Sequence, residues 1–244
     1  MNIVILMAGK SESFQNAGIN TPKPYIDIKG KTMVQRAYES LNLKGKYYFV
    51  ALKAHKEEYK VGETIRSFCP DAKIIYLPEV TSGPAETLYK LKDEVPGDEP
   101  LIQTNVDQVL EWDSSRFEKF IEEKDPDSAV VTINTCDPHY SFIKLDKNFK
   151  GMRLSEKEPC SNNGLIGTHY WKKASMCFSS YEGAVEKNYR YPLYDENIAE
   201  VYVSLTFNDL LDRGYEVLDF KLKQDEKQHV VGDVPSLSQY EDRL

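Results

Sequence analysis

The stretch Asn2-Ile3-Val4-Ile5-Leu6-Met7-Ala8-Gly9-Lys10-Ser11-Glu12-Ser13-Phe14 decides the fold. Residues 2–7 form an unbroken, mainly aliphatic run closed by a glycine. A strand buried on both faces of a parallel sheet reads this way, whereas a half-exposed strand alternates. The apolar start has no basic leader and runs straight into charged residues, so it reads as a strand and not a signal peptide. The polar loop that follows, residues 9–23, then falls at the carboxyl end of a strand. Open α/β sheets hold their ligands there.

Outward from this point, strand-like and helix-like segments alternate. Residues 47–52, 73–77, 101–104 and 128–134 read as strands. Met33, Val34, Ala37, Tyr38 and Leu41 recur at helical spacing behind Thr32, a suitable N-cap. Residues 55–68, 85–94 and 115–123 read as further helices, the first stopping before Pro70. Such alternation with short connections predicts an α/β fold with a doubly wound, mostly parallel sheet. The second half is less regular. Residues 142–145, 151–154 and 165–171 read as shorter strands, 203–213 as a helix, and 217–222 and 229–231 as final strands. No linker-like composition and no repeat divides the chain, so residues 1–244 are expected to form a single domain. A second polar stretch, Asn105-Val106-Asp107-Gln108, also falls at a strand's carboxyl end.

Composition narrows the function. The chain has 244 residues, 41% hydrophobic and 29% charged, as a soluble globular protein does. No apolar run approaches the roughly 18 residues that span a bilayer, so no membrane partner is expected. A formal net charge of −8 argues against a general nucleic-acid footprint. A nucleotide-sized anion needs only a few lysines and backbone N–H groups. Cys69, Cys136, Cys160 and Cys177 are scattered without a C-x-x-C pair, which argues against zinc and disulfides. They read as reduced thiols, three or four of them packed, in a cytoplasmic protein. The four histidines are equally dispersed and suggest no metal cluster.

Five segments carry the chemistry. They are the loop from Ala8 to Phe14 followed by Thr21-Pro22-Lys23-Pro24; Thr81-Ser82-Gly83-Pro84-Ala85-Glu86-Thr87; Asn105-Val106-Asp107-Gln108; Ser155-Glu156-Lys157-Glu158-Pro159 with Ser161-Asn162 and Gly167; and Gly232-Asp233-Val234-Pro235-Ser236-Leu237. Each alone is bland: a Gly turn after a first strand is more often geometry, and a Glu-Lys pair is usually a solvated surface pair. In this order they resemble the sugar-phosphate nucleotidyltransferases, the NDP-sugar pyrophosphorylase-like family, over nearly the whole chain.

The resemblance implies a Rossmann-like, GT-A type domain joining an NTP and a sugar 1-phosphate, or a similar small phosphorylated acceptor, into a nucleotide sugar and pyrophosphate. Such a role belongs to nucleotide-sugar and polysaccharide biosynthesis. It places the nucleotide in the half spanning 1–135, on Ala8, Gly9, Lys10, Ser11, Ser13, Lys23, Gly83, Pro84 and Asn105. It places the sugar phosphate in the half spanning 136–244, on Ser141, Glu156, Lys157, Asn162 and Gly167. Lys23, Asp107 and Lys157 are the implied catalytic groups, with Mg²⁺ on Asp107; the last segment is expected to be structural. A lone Asp at a strand end suits Mg²⁺, which prefers oxygen ligands and retains several waters beside phosphates.

Departures from the family pattern are equally visible. Ser11 stands for the second Gly and Ser13 for an Arg, and Glu12 adds a negative charge that Lys10 offsets in part. Thr206 stands where a second metal-binding Asp is expected, with Glu200 the nearest acid, and Tyr140-Ser141 stands for Tyr-Gly. Two rival readings stay open: a GT-A-like glycosyltransferase, although the first Asp of its Asp-x-Asp motif is missing at Asn105, and a non-catalytic nucleotide- or nucleotide-sugar-binding homologue. The base, the acceptor and a homo-oligomeric state are left open by the sequence.

Overall fold

The structure, a computed structural model, describes residues 1–192 and 199–244. In chain order these hold β1 (Asn2–Leu6), α1 (Glu12–Asn16), the small hairpin β2 (Asp27–Ile28) and β3 (Lys31–Thr32), α2 (Met33–Leu41) and β4 (Lys46–Leu52). Then come α3 (Val61–Phe68), β5 (Lys73–Leu77), α4 (Pro84–Tyr89), β6 (Leu101–Asn105), β7 (Gln108–Glu111), α5 (Ser114–Lys124) and β8 (Ser128–Asn134). The second half adds β9 (Ser141–Leu145), β10 (Gly151–Glu156), β11 (Asn163–Trp171), α6 (Ala174–Glu186), β12 (Tyr191–Pro192) and β13 (Ala199–Glu200). It ends with α7 (Val203–Asp212), β14 (Val217–Lys221), β15 (Lys227–Val230) and α8 (Val234–Glu241).

One sheet of nine strands organises the chain, in the order β10-β9-β11-β6-β1-β4-β5, with β8 against β11 and β14 against β8. Strands β6, β1, β4 and β5 run parallel, Ile5 lying opposite Phe49 on one side and Thr104 on the other. β14 runs parallel to β8, while β11 enters antiparallel to β6, β8 and β9. β1 is buried along its whole length, as its aliphatic run requires. Its alternate residues feed two cores. Val4 and Leu6 pack with Leu88 of α4, Phe178 of α6 and Phe207 of α7. Ile3 and Ile5 pack with Val34 of α2, Ile65 of α3 and Phe117 of α5. Helices thus cover both faces of the central sheet, the doubly wound arrangement expected.

A third core sits beneath the loop after β1, where Phe14 meets Ile28, Met33, Val231 and Leu237. Burying a side chain the size of Phe14 is worth about 2 kcal/mol, which pins the loop to α8. Thr32 caps α2 by accepting from Gln35 N at 3.3 Å, as its sequence position foretold. Among the described residues no helix is long and apolar enough to cross a membrane.

Several boundaries differ from expectation. The helix expected over 55–68 begins only at Val61, because Lys60 takes a left-handed φ of 43° that ends a preceding turn. The helix expected over 85–94 ends at Tyr89 and continues as tighter turns, Lys92 N bonding to Tyr89 O at 3.1 Å. Gln108, read as part of a polar turn, starts β7, which pairs antiparallel with β15. Of the four thiols, Cys69 and Cys177 are buried, Cys160 is half-buried and Cys136 is exposed, all unbridged.

Candidate active site

An open cleft of about 490 Å³ lies at the carboxyl end of β6. Asn105, Gln108, Gly167 and His169 line one side; Ser141, Glu156, Lys157 and Tyr202 line another. Gly167 sits in a bulge of β11, where pairing with β8 slips between Leu165 and His169. Its φ of 78° is left-handed, and a Cβ there would stand 2.8 Å from Asn105 Nδ2. Glycine therefore both permits the bulge and leaves room for Asn105.

The Glu156–Lys157 pair closes β10 and does not behave as a surface pair. Glu156 is buried, and its Oε2 accepts from the hydroxyls of Ser141 and, at 2.8 Å, Ser204. Burial pushes its carboxyl pKa up, against the lowering effect of the two hydroxyls and Lys157. Lys157 turns out of the strand at φ 53° and donates its backbone N–H to Tyr140 O at 3.1 Å. Its Nζ donates to Tyr202 OH at 3.1 Å and lies over the rings of Tyr191 and Tyr202, 5.3 and 5.1 Å from their centroids. Tyrosine faces favour a cation without cancelling its charge. Among the described residues no carboxylate forms an ion pair with its Nζ.

The loop after β1 is organised differently. Ser11 adopts φ 61°, the left-handed geometry that glycine favours, and its buried hydroxyl accepts from Lys23 N at 2.9 Å. Lys23 Nζ in turn binds Asp107 Oδ2 at 2.9 Å, both side chains about one-fifth exposed (22% and 20%). Ser13 donates to Gly232 O at 2.6 Å, and Lys10 reaches Glu12 at 3.5 Å with both side chains mostly in solvent. The Lys23–Asp107 pair adjoins the cleft through the segment before α8. A Cβ on Gly232 would lie 3.0 Å from Asp107 Oδ2, while the neighbouring Asp233, lining the cleft, has its carboxyl pKa lowered chiefly by Ser236 and in part by Lys23.

No protein-family model matches the chain. Among solved structures, the nucleoside-diphosphate-sugar pyrophosphorylase of Vibrio cholerae RC9 superposes with a TM-score of 0.82 over 99% of this chain and 100% of that one, at 18% identity. The inositol-1-phosphate CTP transferase of T. maritima superposes with a TM-score of 0.76 over 99% and 93%, at 13% identity. The chain has the nucleotidyltransferase fold. A curated relative, the bifunctional protein GlmU of Methanocaldococcus jannaschii, is 26% identical over 185 residues, 75% of this chain. The chain spans 42% of that relative's length.

Within this fold the expected residues divide into three groups. Pro84, Asn105, Ser141, Glu156, Lys157 and Gly167 line the cleft. Ala8, Gly9, Lys10, Ser11, Ser13, Lys23, Gly83 and Asp107 do not line it and belong to the loop side or to the segment before α4. Gly83 has a steric role there: a Cβ would stand 2.5 Å from Glu200 Cγ. Asn162 is exposed and outside the lining, its carbonyl accepting from Thr135 N at 3.1 Å. Thr206 is buried and bonds back to Val203 O at 2.8 Å, so it offers no metal ligand.

Sequence reasoning missed Gln103, His169, Ser204 and Tyr202, all of which line the cleft. A signal for the first two was present. Each is a large polar residue flanked by apolar ones, Gln103 after Leu101-Ile102 and His169 before Tyr170-Trp171, and such a residue is seldom buried without a purpose.

Proposed function

We propose that this protein is a nucleotidyltransferase that joins an NTP to a sugar 1-phosphate, or a similar small phosphorylated acceptor, and releases pyrophosphate. The observation that supports this most is the single cleft lined by Glu156, Lys157 and Asn105, with the Lys23–Asp107 pair beside it. An acceptor phosphate oxygen attacks the α-phosphorus of the NTP. A new P–O bond forms, the bond from the α-phosphorus to the bridging oxygen breaks, and pyrophosphate leaves with that electron pair. Lys157 draws the acceptor phosphate, Glu156 accepts from acceptor hydroxyls, and Lys23 leaves Asp107 to meet the triphosphate.

Asp107 offers one carboxylate, a hard oxygen donor suited to Mg²⁺. Among the described residues no group of three His, Cys, Asp or Glu converges on a metal. Asp107 therefore fits an ion that arrives with phosphates and waters as its remaining ligands. Mg²⁺ supplies charge neutralisation of the phosphates when bound. Pairs of NTPs and sugar 1-phosphates assayed for pyrophosphate release test the proposal. Release with one pair and not with the NTP alone is expected. Tight NTP binding with no release from any pair leaves a nucleotide-binding protein instead.

A further inference from the structure

A line of polar side chains crosses the sheet interior beneath the cleft. Gln103 and His169 are register partners across β6 and β11, and both are buried. His169 Nδ1 lies 2.8 Å from Gln103 Oε1, and Gln103 Nε2 donates to Asn105 Oδ1 at 2.9 Å. An amide oxygen only accepts, so the ring proton sits on Nδ1. The direction of the chain follows: His169 donates to Gln103, Gln103 donates to Asn105, and the oxygen of Asn105 is turned toward Gln103. What Asn105 offers the cleft is its NH₂ group, with Gly167 leaving the space beside it.

Three polar side chains in place of aliphatic ones cost desolvation, and hydrogen bonding at best offsets it. Aliphatic residues at 103 and 169 would pack the same sheet. The polar line is explained by what it holds at its end. His169 is only 4% exposed, packed near Phe207, and burial pushes its pKa down to about 3, so the ring stays neutral at ordinary pH.

We propose that His169 is a positioning residue which, through Gln103, fixes the Asn105 amide with its N–H donors toward the cleft to bind an oxygen of the acceptor. Asn105 shares the cleft lining with Glu156, Lys157 and Gly167, whereas Lys10, Lys23 and Asp107 lie outside it, so the acceptor and not the triphosphate is its ligand. The ligand's identity rests on the proposed nucleotidyltransferase reaction; the hydrogen-bond chain does not.

The chain is tested first on the unmodified protein. Long-range ¹H–¹⁵N spectra of the labelled full chain are expected to show His169 protonated at Nδ1, bare at Nε2, and unchanged from pH 5 to 8. An Nε2–H ring, or one that titrates over this range, overturns the proposal whether or not any NTP turns over. Kinetics with the active NTP and sugar 1-phosphate pair then test the role. His169→Leu is expected to raise the acceptor KM about tenfold, with the NTP KM moved less than about twofold. His169→Asn, which returns an amide N–H at the Nδ1 position, is expected to restore most of that loss. Asn105→Asp keeps the shape but replaces the donor with an acceptor, and is expected to reproduce the acceptor-specific loss if His169→Leu fails to fold. Equal loss for both substrates, or failure of His169→Asn to repair it, overturns the assignment.

Discussion

The loop rim and the cleft floor solve opposite problems with similar polar residues. At the rim, charges are spent on each other: Lys23 on Asp107, Lys10 on Glu12. The hydroxyls there tie backbone to backbone, Ser11 holding Lys23 N and Ser13 holding Gly232 O. On the floor, polar groups are buried and preset, and His169 Nε2 and Gln228 Oε1 have no partner among the described residues. A partly exposed ion pair is worth little net stability, so exchanging it for a ligand costs little. A buried amide or carboxylate cannot rearrange so freely. On the proposed reading, the rim would trade partners with an arriving anion and the floor would judge the shape of what arrives.

The largest effect is expected where the rim's traded charge is removed. Asp107→Asn is expected to abolish Mg²⁺-dependent pyrophosphate release while leaving the melting profile near the parent's. Unchanged turnover at saturating Mg²⁺ takes Asp107 out of the reaction. Lys23→Ala is expected to lower kcat/KM by about 10²-fold, the usual consequence of losing one charge-stabilising donor. If both variants behave like the parent, the Lys23–Asp107 pair is structural and the nucleotide binds elsewhere.

A somewhat smaller and more selective effect is expected at the cleft wall. Lys157 Nζ lies over tyrosine faces and, among the described residues, forms no ion pair with a carboxylate, although the charges of Glu156 and Glu200 are felt there. Lys157→Ala is expected to weaken acceptor binding by about tenfold to a hundredfold, in the range of a lost charged hydrogen bond. Titration calorimetry with acceptor and NTP separately checks this. Equal weakening of both ligands removes the distinction between rim and cleft.

How much of this was legible in the sequence follows the same division. β1, β4, β5 and the fold class were readable because unbroken runs of aliphatic and aromatic residues have few alternative explanations. α6 was not, because Ala174–Glu186 carries three serines and an internal glycine. Gly183 explains itself only in three dimensions: a Cβ there would stand within bond-crowding reach of the Asp209 carboxylate from α7, which pairs with Lys187 at 2.9 Å and Arg213 at 2.8 Å. Packing overrode propensity. α8 did carry a signal, Asp233 accepting from Ser236 N at 2.8 Å in a capping box with Pro235 in the first turn. The Glu156–Lys157 segment was legible as a motif but not as a buried group, since the hydroxyls that meet the carboxylate, Ser141 and Ser204, come from other elements.

That burial gives a prediction of opposite sign for stability and binding. The raised native pKa of Glu156 means the folded chain holds its proton more tightly than the unfolded one. Its contribution is fully favourable below the ordinary carboxylate pKa and is lost as pH rises through the native value. Glu156→Gln is therefore expected to raise the melting temperature at neutral pH and to flatten its decline with pH, while increasing the acceptor KM. A lower melting temperature would show that the ionised carboxylate with its two hydroxyls is net stabilising, making the wall self-paired like the rim.

The smallest effects are expected at the two rim positions that depart most from the family pattern. Lys10 and Glu12 side chains are 63% and 67% exposed and 3.5 Å apart, so water screens both their attraction and any repulsion from Glu12 toward a triphosphate. Lys10→Ala is expected to change kcat/KM by less than about threefold, as for an exposed pair worth under ~1 kcal/mol. Ser13→Arg introduces a cation but removes the 2.6 Å bond to Gly232 O that joins the loop to the segment before α8. A gain of tenfold or more in pyrophosphate release from Ser13→Arg would show a parent short of one cation, as the loss of an arginine in phosphoryl transfer can cost roughly 10³-fold. A change within a few-fold would show that Lys23, once released by Asp107, already supplies the charge. A collapse of activity in Lys10→Ala would reverse the picture, making an exposed, paired lysine the working cation and the buried-edge pair its support.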